Sequence, residues 1–422
     1  MTEQLLQFIW RFQYFNRNEL SAVTGEKIMV VHPGMLNRDQ GPDFANAMIH
    51  INGIRWVGNV ELHLRTSDWR KHQHQDDRNY GNVVLHVVWK HDSMVNDIPV
   101  LELHDRIPGL LFSKYEQLMR NQAYIPCNGN TSHLTALGWL SWKDRLLFER
   151  LERKASLIRS FNRANGNDWE TTCWWMLARN FGYKVNADAF ETMARSVDKR
   201  IIARQKNNII RLEALLLGQA GLLGPPATDQ YSQHLAAEYH LLSLKYGLTA
   251  IPVQVNFLRM RPRNFPSLRL AQLAMILHRF DNLQVRLLDT AVLRDMKYLL
   301  QVKASDYWDN HYRPGIRSAG ASGKLGSFMA GNIIINTVVP LLFEYSTATG
   351  DERYGQRAIG WLQQLSRENN SLTDTLETFG FGQENAFDSQ AVIELKSQYC
   401  DQRRCLDCAV GYSILNPRHP NL

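Results

Sequence analysis

The chain has 422 residues, of which 44% are hydrophobic and 21% charged, so it has the composition of a globular protein with two or three domains and is not a disordered chain. A formal net charge of +7 favours an acidic partner, and nucleic acid is the commonest such partner. Five cysteines in this length are too few for a disulfide scaffold.

The N-terminal residues 1–14 are predicted to form an amphipathic helix, because apolar side chains recur there at helical spacing. Glu3 and Arg11 interrupt any continuous apolar core of the kind that a signal peptide needs. The longest apolar stretch elsewhere, residues 333–343, is shorter than the roughly 20 residues that span a bilayer. We therefore expect a soluble, cytoplasmic protein with no membrane partner.

Residues 26–104 show the two-residue periodicity of β-strands, and the chain after Cys127 shows helical spacing. Asn52-Gly53 between two extended runs is the strongest short hairpin signal. The hairpin makes the segment after Asp43 antiparallel to the segment that contains Glu61. The predicted fold class is α+β: a small mixed α/β domain over residues 1–125, then a mainly α-helical domain over residues 126–422 that ends in a cysteine cluster.

Two acidic residues occupy facing positions of this hairpin. Strand alternation places Glu61, His63 and Arg65 on one face, and Pro42 makes Asp43 the first residue able to project from the opposite turn. The two carboxylates are predicted to bind Mg²⁺ or Mn²⁺, which prefer oxygen ligands and keep sites open for water. Such an ion polarises a phosphate and lowers the pKa of an attacking water. The alternative is a simple turn followed by a solvated strand face.

This region resembles the PD-(D/E)XK nuclease superfamily over about the first quarter of the chain. The core of that superfamily is a helix, a hairpin with Asp on one strand and Glu-x-Lys on the next, then a helix and another strand. The resemblance implies that Asp43 and Glu61 are metal-binding acids and that His63 occupies the lysine position. A histidine can donate a hydrogen bond or accept a proton near neutral pH, but it lacks lysine's permanent charge, for which Lys71 or Arg65 is a nearby substitute.

A second group of polar residues follows in the run His72-Gln73-His74-Gln75-Asp76-Asp77. It resembles the His-x-His-x-Asp-His signature of metallo-β-lactamase-fold hydrolases, with Asp77 in place of the last histidine. One interpretation is a zinc-dependent hydrolase that uses this cluster. A second is that His72 or His74 contributes to the nuclease-like cleft, and a third is a polar loop.

Three cysteines lie close together near the C-terminus as Cys400-x4-Cys405-x2-Cys408. The Cys-x2-Cys pair gives the tight chelating turn of structural zinc sites, and Cys127 or a histidine is available as a fourth ligand. The spacing also occurs in plant-type iron–sulfur proteins, for which Cys127 or Cys173 would have to complete the set. Zinc is the first prediction, an iron–sulfur cluster the second, and free thiols the alternative.

The whole chain also resembles an uncharacterised bacterial family known only as a domain of unknown function, on the segments 41–44 and 261–269 and on the terminal cysteines. Four arginines at positions 259, 261, 263 and 269 surround a Pro-Asn-Phe-Pro turn and are candidates for contact with a nucleic-acid backbone. The leading hypothesis is a metal-dependent DNA or RNA endonuclease. The alternative is a non-catalytic nucleic-acid-binding or scaffold protein that retains the nuclease-like fold without its lysine.

Overall fold

The computed structural model describes residues 1–37, 40–94, 98–128, 134–224, 229–258 and 260–416. The α-helices in these residues are α1 (Glu3–Phe12), α2 (Asp68–Lys71), α3 (Gly109–Arg120), α4 (Ala136–Ala164), α5 (Trp169–Phe181), α6 (Tyr183–Ser196), α7 (Lys199–Gln205), α8 (Ile209–Gln219), α9 (Gln230–Tyr246), α10 (Pro266–Arg279), α11 (Leu293–Leu299), α12 (Ser327–Ile333), α13 (Val339–Thr349), α14 (Glu352–Gln364), α15 (Ser371–Thr378), α16 (Ala386–Glu394) and α17 (Ala409–Leu415). The strands are β1 (Ile28–His32), β2 (Met35–Leu36), β3 (Phe44–Ile51), β4 (Ile54–Arg65), β5 (Val83–Lys90), β6 (Val100–Glu102), β7 (His311–Arg313) and β8 (Ile316–Arg317). An α+β fold is therefore confirmed.

The chain forms two compact units, and neither is one continuous segment. The first unit contains the described residues of Met1–Asp144, Ser371–Gly382 and Val392–Leu422, and the second contains those of Arg145–Asn370 and Gln383–Ala391. The C-terminal cysteines therefore lie in the same unit as the N-terminal sheet. The division into one domain of residues 1–125 and another of residues 126–422 stays a prediction.

The first unit is built on a sheet with the strand order β1-β3-β4-β5-β6, with β2 also paired to β3. The pairs β1–β3 and β3–β4 are antiparallel, whereas β4–β5 and β5–β6 are parallel. The crossover between β4 and β5, residues 66–82, contains α2 and two 3-10 turns, His74–Asp76 and Arg78–Tyr80. Helix α1 shares one hydrophobic core with the sheet, in which Leu6 and Ile9 are as fully buried as Ile49 and Val60.

The hairpin lies where the sequence predicted it. Ile51 pairs with Ile54 across Asn52 and Gly53, whose φ angles are +48° and +84°. Positive φ at both central residues is what a type I′ turn requires. The alternative of a solvated strand face at Glu61 and His63 is wrong, because Glu61 is 5% exposed and His63 1% exposed.

The second unit is mostly helical and has its own hydrophobic core. Ser327–Thr349 is the one helix of the described chain that is long and apolar enough to cross a membrane, and 67% of its most apolar window is buried inside the protein. The apolar segment 333–343 lies within this continuous helix, in which a π-helical stretch, Ile334–Val338, joins α12 to α13. A helix buried to this extent packs mainly against other parts of the protein.

Candidate active site

The carboxylates of Asp43 and Glu61 are held side by side by hydrogen bonds from each other's strand. The Asp43 N–H donates to Glu61 Oε2 over 3.0 Å, and the Leu62 N–H donates to Asp43 Oδ2 over 3.1 Å. The Gln7 side-chain amide, from α1, donates to Asp43 Oδ1 over 2.8 Å. The predicted pair of acids is therefore brought together, with a third element fixing its orientation.

The register of the β3–β4 hairpin explains this arrangement. Phe44 is opposite Val60, so Asp43, one residue earlier, lies beside Glu61, one residue later. The register then shifts between Phe44 and Ala47, where Asn46 has φ of +57°. Such a bulge bends a strand and is common beside functional sites.

Two histidines approach the Glu61 carboxylate, and two more contact one of those histidines. His63 Nε2 and His74 Nε2 each lie 3.5 Å from Glu61 Oε1. His63 Nδ1 is 2.9 Å from His86 Nε2, and His63 Nε2 is 3.2 Å from His72 Nδ1. One ligand atom from each of His63, His72 and His74 lies within 4.8 Å of the other two. Three imidazoles and a carboxylate thus converge on one small volume.

Burial drives the acids of this site towards their neutral forms. Burial, reinforced by the charge of Asp43, raises the pKa of Glu61 to about 8. Burial also raises the pKa of Asp43 to about 6, although the hydrogen bond from Leu62 opposes the shift. Each acid is therefore costly to ionise unless a positive charge is close by.

Burial also favours the neutral form of the histidines, and for a histidine this lowers the pKa. Burial, followed by repulsion from His86, His74 and His72, lowers the pKa of His63 to about 2. Burial lowers the pKa of His86 to about 3. These imidazoles are neutral at physiological pH, and a neutral imidazole is the form that binds metal ions.

His63, which the resemblance to PD-(D/E)XK nucleases puts in the lysine position, is therefore a buried, uncharged ring. Both of its nitrogens lie within hydrogen-bonding distance of other histidines. The two substitutes predicted from the sequence lie outside this volume. Lys71 is 76% exposed and its ammonium lies 4.0 Å from Asp68, and Arg65 is exposed at the end of β4. His63 can hydrogen-bond or bind a metal, but it supplies no permanent positive charge.

The His72–Asp77 cluster is only partly brought to the site. His72 and His74 join His63, as described above. Asp76 instead accepts a hydrogen bond from Gln75 over 2.8 Å, and Asp77 caps the next 3-10 turn by accepting the Asn79 N–H over 2.9 Å. The structure thus uses the predicted histidines at the site and the predicted aspartates in local turns.

Three residues of the site were not predicted from the sequence: Gln7, Trp69 and Tyr80. The Tyr80 ring stacks on His74 with centroids 3.9 Å apart, and Trp69 packs edge-on against the same histidine at 5.4 Å. Their signal in the sequence is weak, because aromatic residues beside a polar loop are common. Gln7 had a clearer signal in the sequence, because Glu3 and Gln7 are four residues apart and share the polar face of an otherwise apolar helix.

The C-terminal cysteines lie in one turn of the chain. The Arg403 N–H donates to the Cys400 carbonyl over 3.1 Å, and the Cys408 N–H donates to the Cys405 carbonyl over 3.3 Å. Burial raises the pKa of Cys408 to about 12 and that of Cys405 to about 11, and it raises that of Cys400 further still. All three thiols, and Cys127, are free of disulfides.

Cys127 is close to this turn and belongs to the same unit. A thiolate at Cys127 would repel thiolates at Cys400, Cys405 and Cys408, and this repulsion contributes, after burial, to the raised pKa values of those three cysteines. Cys173 is fully buried in the hydrophobic core of the second unit. Of the two cysteines predicted as a fourth ligand, the structure therefore brings Cys127 to the other three.

The predicted basic edge is only partly available to a partner. Arg269 is 5% exposed and donates to Gln272 and Asn264 over 2.8 and 2.6 Å, so its prediction as a phosphate contact is wrong. Arg261 and Arg263 are exposed. Residue 259 lies outside the described residues.

The chain matches one family of known proteins. A family model described as "Protein of unknown function (DUF2851)" matches residues 3–371. The chain belongs to this family. No curated protein and no solved structure matches it.

The residues matched to the family include the whole β3–β4 hairpin, the crossover with its histidines, and Cys127. Cys400, Cys405 and Cys408 lie beyond the matched residues, although the resemblance noted in the sequence extended to them. The family assignment therefore covers the carboxylate–histidine site and only one of the four neighbouring cysteines.

Proposed function

We propose that the protein is a metal-dependent phosphodiester hydrolase that acts on nucleic acid, with Asp43 and Glu61 as metal-binding acids. The proposal rests on two hydrogen bonds from backbone N–H groups to these side chains. The Asp43 N–H donates to Glu61 over 3.0 Å and the Leu62 N–H donates to Asp43 over 3.1 Å, which fixes the two carboxylates beside one another. Neither acid is neutralised by a lysine or arginine in these contacts. Two such carboxylates in a buried site are the donor set that a divalent cation fits.

The order of elements in the first unit supports the same reading. Helix α1, strand β1, the β3–β4 hairpin, the α2 crossover and the parallel strand β5 follow one another along the chain. Apart from β1 and β2, which come between α1 and the hairpin, this is the order that the resemblance to PD-(D/E)XK nucleases implies, with the acids at the hairpin. This order supports the hypothesis that the site is a nuclease site. Membership of the PD-(D/E)XK superfamily stays a proposal.

The donor atoms narrow the choice of metal. Carboxylate oxygens suit Mg²⁺ and Mn²⁺, whereas imidazole nitrogens suit Zn²⁺ and other transition metals. The site offers both types, since His63 and His74 approach the carboxylate of Glu61 to 3.5 Å. We therefore expect Mn²⁺ to be preferred over Mg²⁺. A metal bound there would polarise a phosphate and supply a more acidic water.

The protein's own residues then have separate roles. Gln7 and the Leu62 N–H orient Asp43. His63, which is neutral and hydrogen-bonded to His86, is placed to orient a water beside the carboxylates. The net charge of +7 favours a polyanionic substrate, because it attracts nucleic acid over long range.

A second candidate is a zinc-dependent hydrolase. It is favoured by the three imidazoles whose ligand atoms lie within 4.8 Å of one another, because three histidines with an open fourth position form a common catalytic zinc site. In this reading Glu61 is a general base next to the zinc instead of a metal ligand. The two candidates differ in the metal that supports turnover.

The test is cleavage of labelled single-stranded, duplex and branched DNA and RNA with Mg²⁺, Mn²⁺ or Zn²⁺. Wild type would be compared with Glu61→Gln and Asp43→Asn, which keep side-chain size while removing charge. Glu116→Gln is the matched control, because Glu116 is an exposed acid of α3 that pairs with Arg120. We expect cleavage by wild type and the control, and a loss of at least about a hundredfold in both site variants.

The outcomes separate the readings. Turnover with Mn²⁺ or Mg²⁺ that both substitutions abolish supports the carboxylate site. Turnover that only Zn²⁺ supports and that survives Asp43→Asn favours the zinc hydrolase. Nucleic-acid binding with no cleavage under any metal would contradict both and favour the scaffold alternative.

A further inference from the structure

We propose that Cys127, Cys400, Cys405 and Cys408 form a single four-thiolate metal centre that fastens the C-terminal segment to the first unit. This site is separate from the carboxylates and histidines of the proposed function. It is built from two parts of the chain that are distant in sequence, and each part is held in place by identifiable contacts.

Arg403 makes the link between the two parts. Its guanidinium lies in the turn between Cys400 and Cys405 and donates to the carbonyls of Met119 and Asn121 at the end of α3. The Asn121 side chain in turn donates to the Pro126 carbonyl over 2.8 Å. The cysteine turn is thereby tied to the residue that precedes Cys127.

Cys127 lies in a tight turn of its own. The Asn128 N–H donates to the Ile125 carbonyl over 3.0 Å, which closes the chain around Cys127. Cys127 packs against the same hydrophobic core in which Cys405 is buried. Cys127 and Cys405 therefore share one apolar region, and Cys408 is buried as well. In such surroundings metal binding to thiolates is strong and free thiolates are costly.

The surroundings favour thiolates that carry a metal. Cys408 accepts backbone N–H donors from Val410 and Gly411, and the charges of Lys396 and Arg403 act on Cys400 and Cys405. Backbone amides and nearby cations are the outer contacts that stabilise metal-bound sulfur. Four neutral thiols would gain little from either.

The spacing of the thiols bears on the kind of metal. Among the described residues, no three of these sulfurs lie within 4.8 Å of one another. A tetrahedral zinc with Zn–S bonds of about 2.3 Å needs sulfurs about 3.8 Å apart. Zinc would therefore draw the sulfurs closer together, whereas an iron–sulfur cluster, with each thiolate on a different iron, spans a wider opening.

The centre also forms part of a groove. Its turn supplies Gln402 and Arg404 to a surface groove whose other wall is α1, including Gln7 and Arg11. Gln7 is the residue that holds Asp43. A metal bound at the cysteines would thus hold in place one wall of this groove. The opposite wall contains Gln7, which contacts the candidate active site.

The experiment measures zinc, iron and acid-labile sulfide in the untagged full-length protein after anaerobic purification. Wild type is compared with Cys127→Ser and Cys400→Ser, and Cys173→Ala serves as the control from the second unit. Glu61→Gln is included in every series, so that metal at the candidate active site is counted separately. We expect about one zinc, or iron with matching sulfide, per wild-type chain.

In the expected result, Cys127→Ser and Cys400→Ser lose at least about fivefold of this metal while Cys173→Ala and Glu61→Gln keep it. Zinc without sulfide identifies a single ion, and iron with sulfide and visible absorption identifies a cluster. A metal-free wild type, or full metal in Cys127→Ser, would overturn the proposal.

Alkylation of the wild-type protein covers the case in which the variants fail to fold. With metal bound, all four thiols should resist iodoacetamide and become reactive together after chelation. Three protected thiols with a freely reactive Cys127 would exclude Cys127 as a ligand. Both readouts are independent of nuclease activity, so failure of the proposed function would leave them unchanged.

Discussion

His74 reaches the Glu61 carboxylate from the β4–β5 crossover, and its Nε2 atom lies 3.5 Å from Glu61 Oε1. This contact joins a short 3-10 turn to the central strand of the sheet. The same Nε2 atom is buried without a hydrogen-bond partner. An unsatisfied buried nitrogen beside a carboxylate calls for an explanation, and the proposed metal site provides one.

Metal affinity should depend on pH. Burial raises the pKa of Glu61 to about 8 and that of Asp43 to about 6, so metal must displace protons from both acids. We expect the Kd for Mn²⁺ to fall as the pH rises from about 6 to about 8, with protons released on binding. Titration calorimetry in buffers of different ionisation enthalpy measures both effects. Affinity that does not change over this range would contradict the prediction.

The stability of the metal-free protein to unfolding should decrease as the pH rises, whereas metal affinity increases. Because the folded pKa of Glu61 is raised above its ordinary value of 4.5, its contribution to stability is present at low pH and lost as the pH rises towards about 8. We expect the free energy of unfolding to fall by up to about 1.4 kcal/mol per pH unit between about pH 6.5 and 8. Glu61→Gln should remove this slope, which urea unfolding in chelator would show. Equal slopes for the two proteins would count against a buried, protonated Glu61.

Gln7 should matter to metal binding although it is not predicted to touch the metal. Gln7→Ala removes the 2.8 Å hydrogen bond to Asp43 Oδ1 and frees that carboxylate to rotate. Loss of an outer contact of this kind typically costs about 10- to 100-fold in metal affinity. Gln4→Ala is the control, since Gln4 lines the same groove but is exposed. Isothermal titration with Mn²⁺ compares them, and similar affinities for the two variants would refute a positioning role for Gln7.

Gly411 should be essential to the cysteine turn. A Cβ atom at this position would lie 2.0 Å from the Cys405 carbonyl oxygen, so backbone must move to admit it. We expect Gly411→Ala to destabilise the protein by about 1–3 kcal/mol and to reduce the metal content of the cysteine site. Gly360→Ala in α14 is the matched control, because its nearest contact would be the end of the Gln364 side chain at 3.9 Å. Thermal unfolding and metal analysis of both variants give the comparison; equal results would show that the turn tolerates the shift.

The parts of this site that the sequence predicts are those set by local rules. Asn52-Gly53 fixes the hairpin, and the hairpin register brings Asp43 to Glu61. The burial of His63 was not predictable, because it depends on the crossover that covers β4 and on His86 from a parallel strand. Gln7 was missed for the same reason, since nothing in the spacing of α1 specifies which strand it packs on. Contacts between distant segments thus account for what was missed.

The first unit cannot be completed until almost the whole chain has been synthesised. Its N-terminal part ends at Asp144, whereas Cys400, Cys405 and Cys408 belong to its last segment, which starts at Val392. At typical translation rates the ribosome needs roughly 10 to 50 seconds to make the residues between them. During that interval the newly made sheet lacks Cys405 and Leu415, which are buried in its core, and Cys127 lacks its three neighbouring thiols. The nascent protein is therefore most exposed to aggregation and to thiol oxidation before its C-terminus emerges.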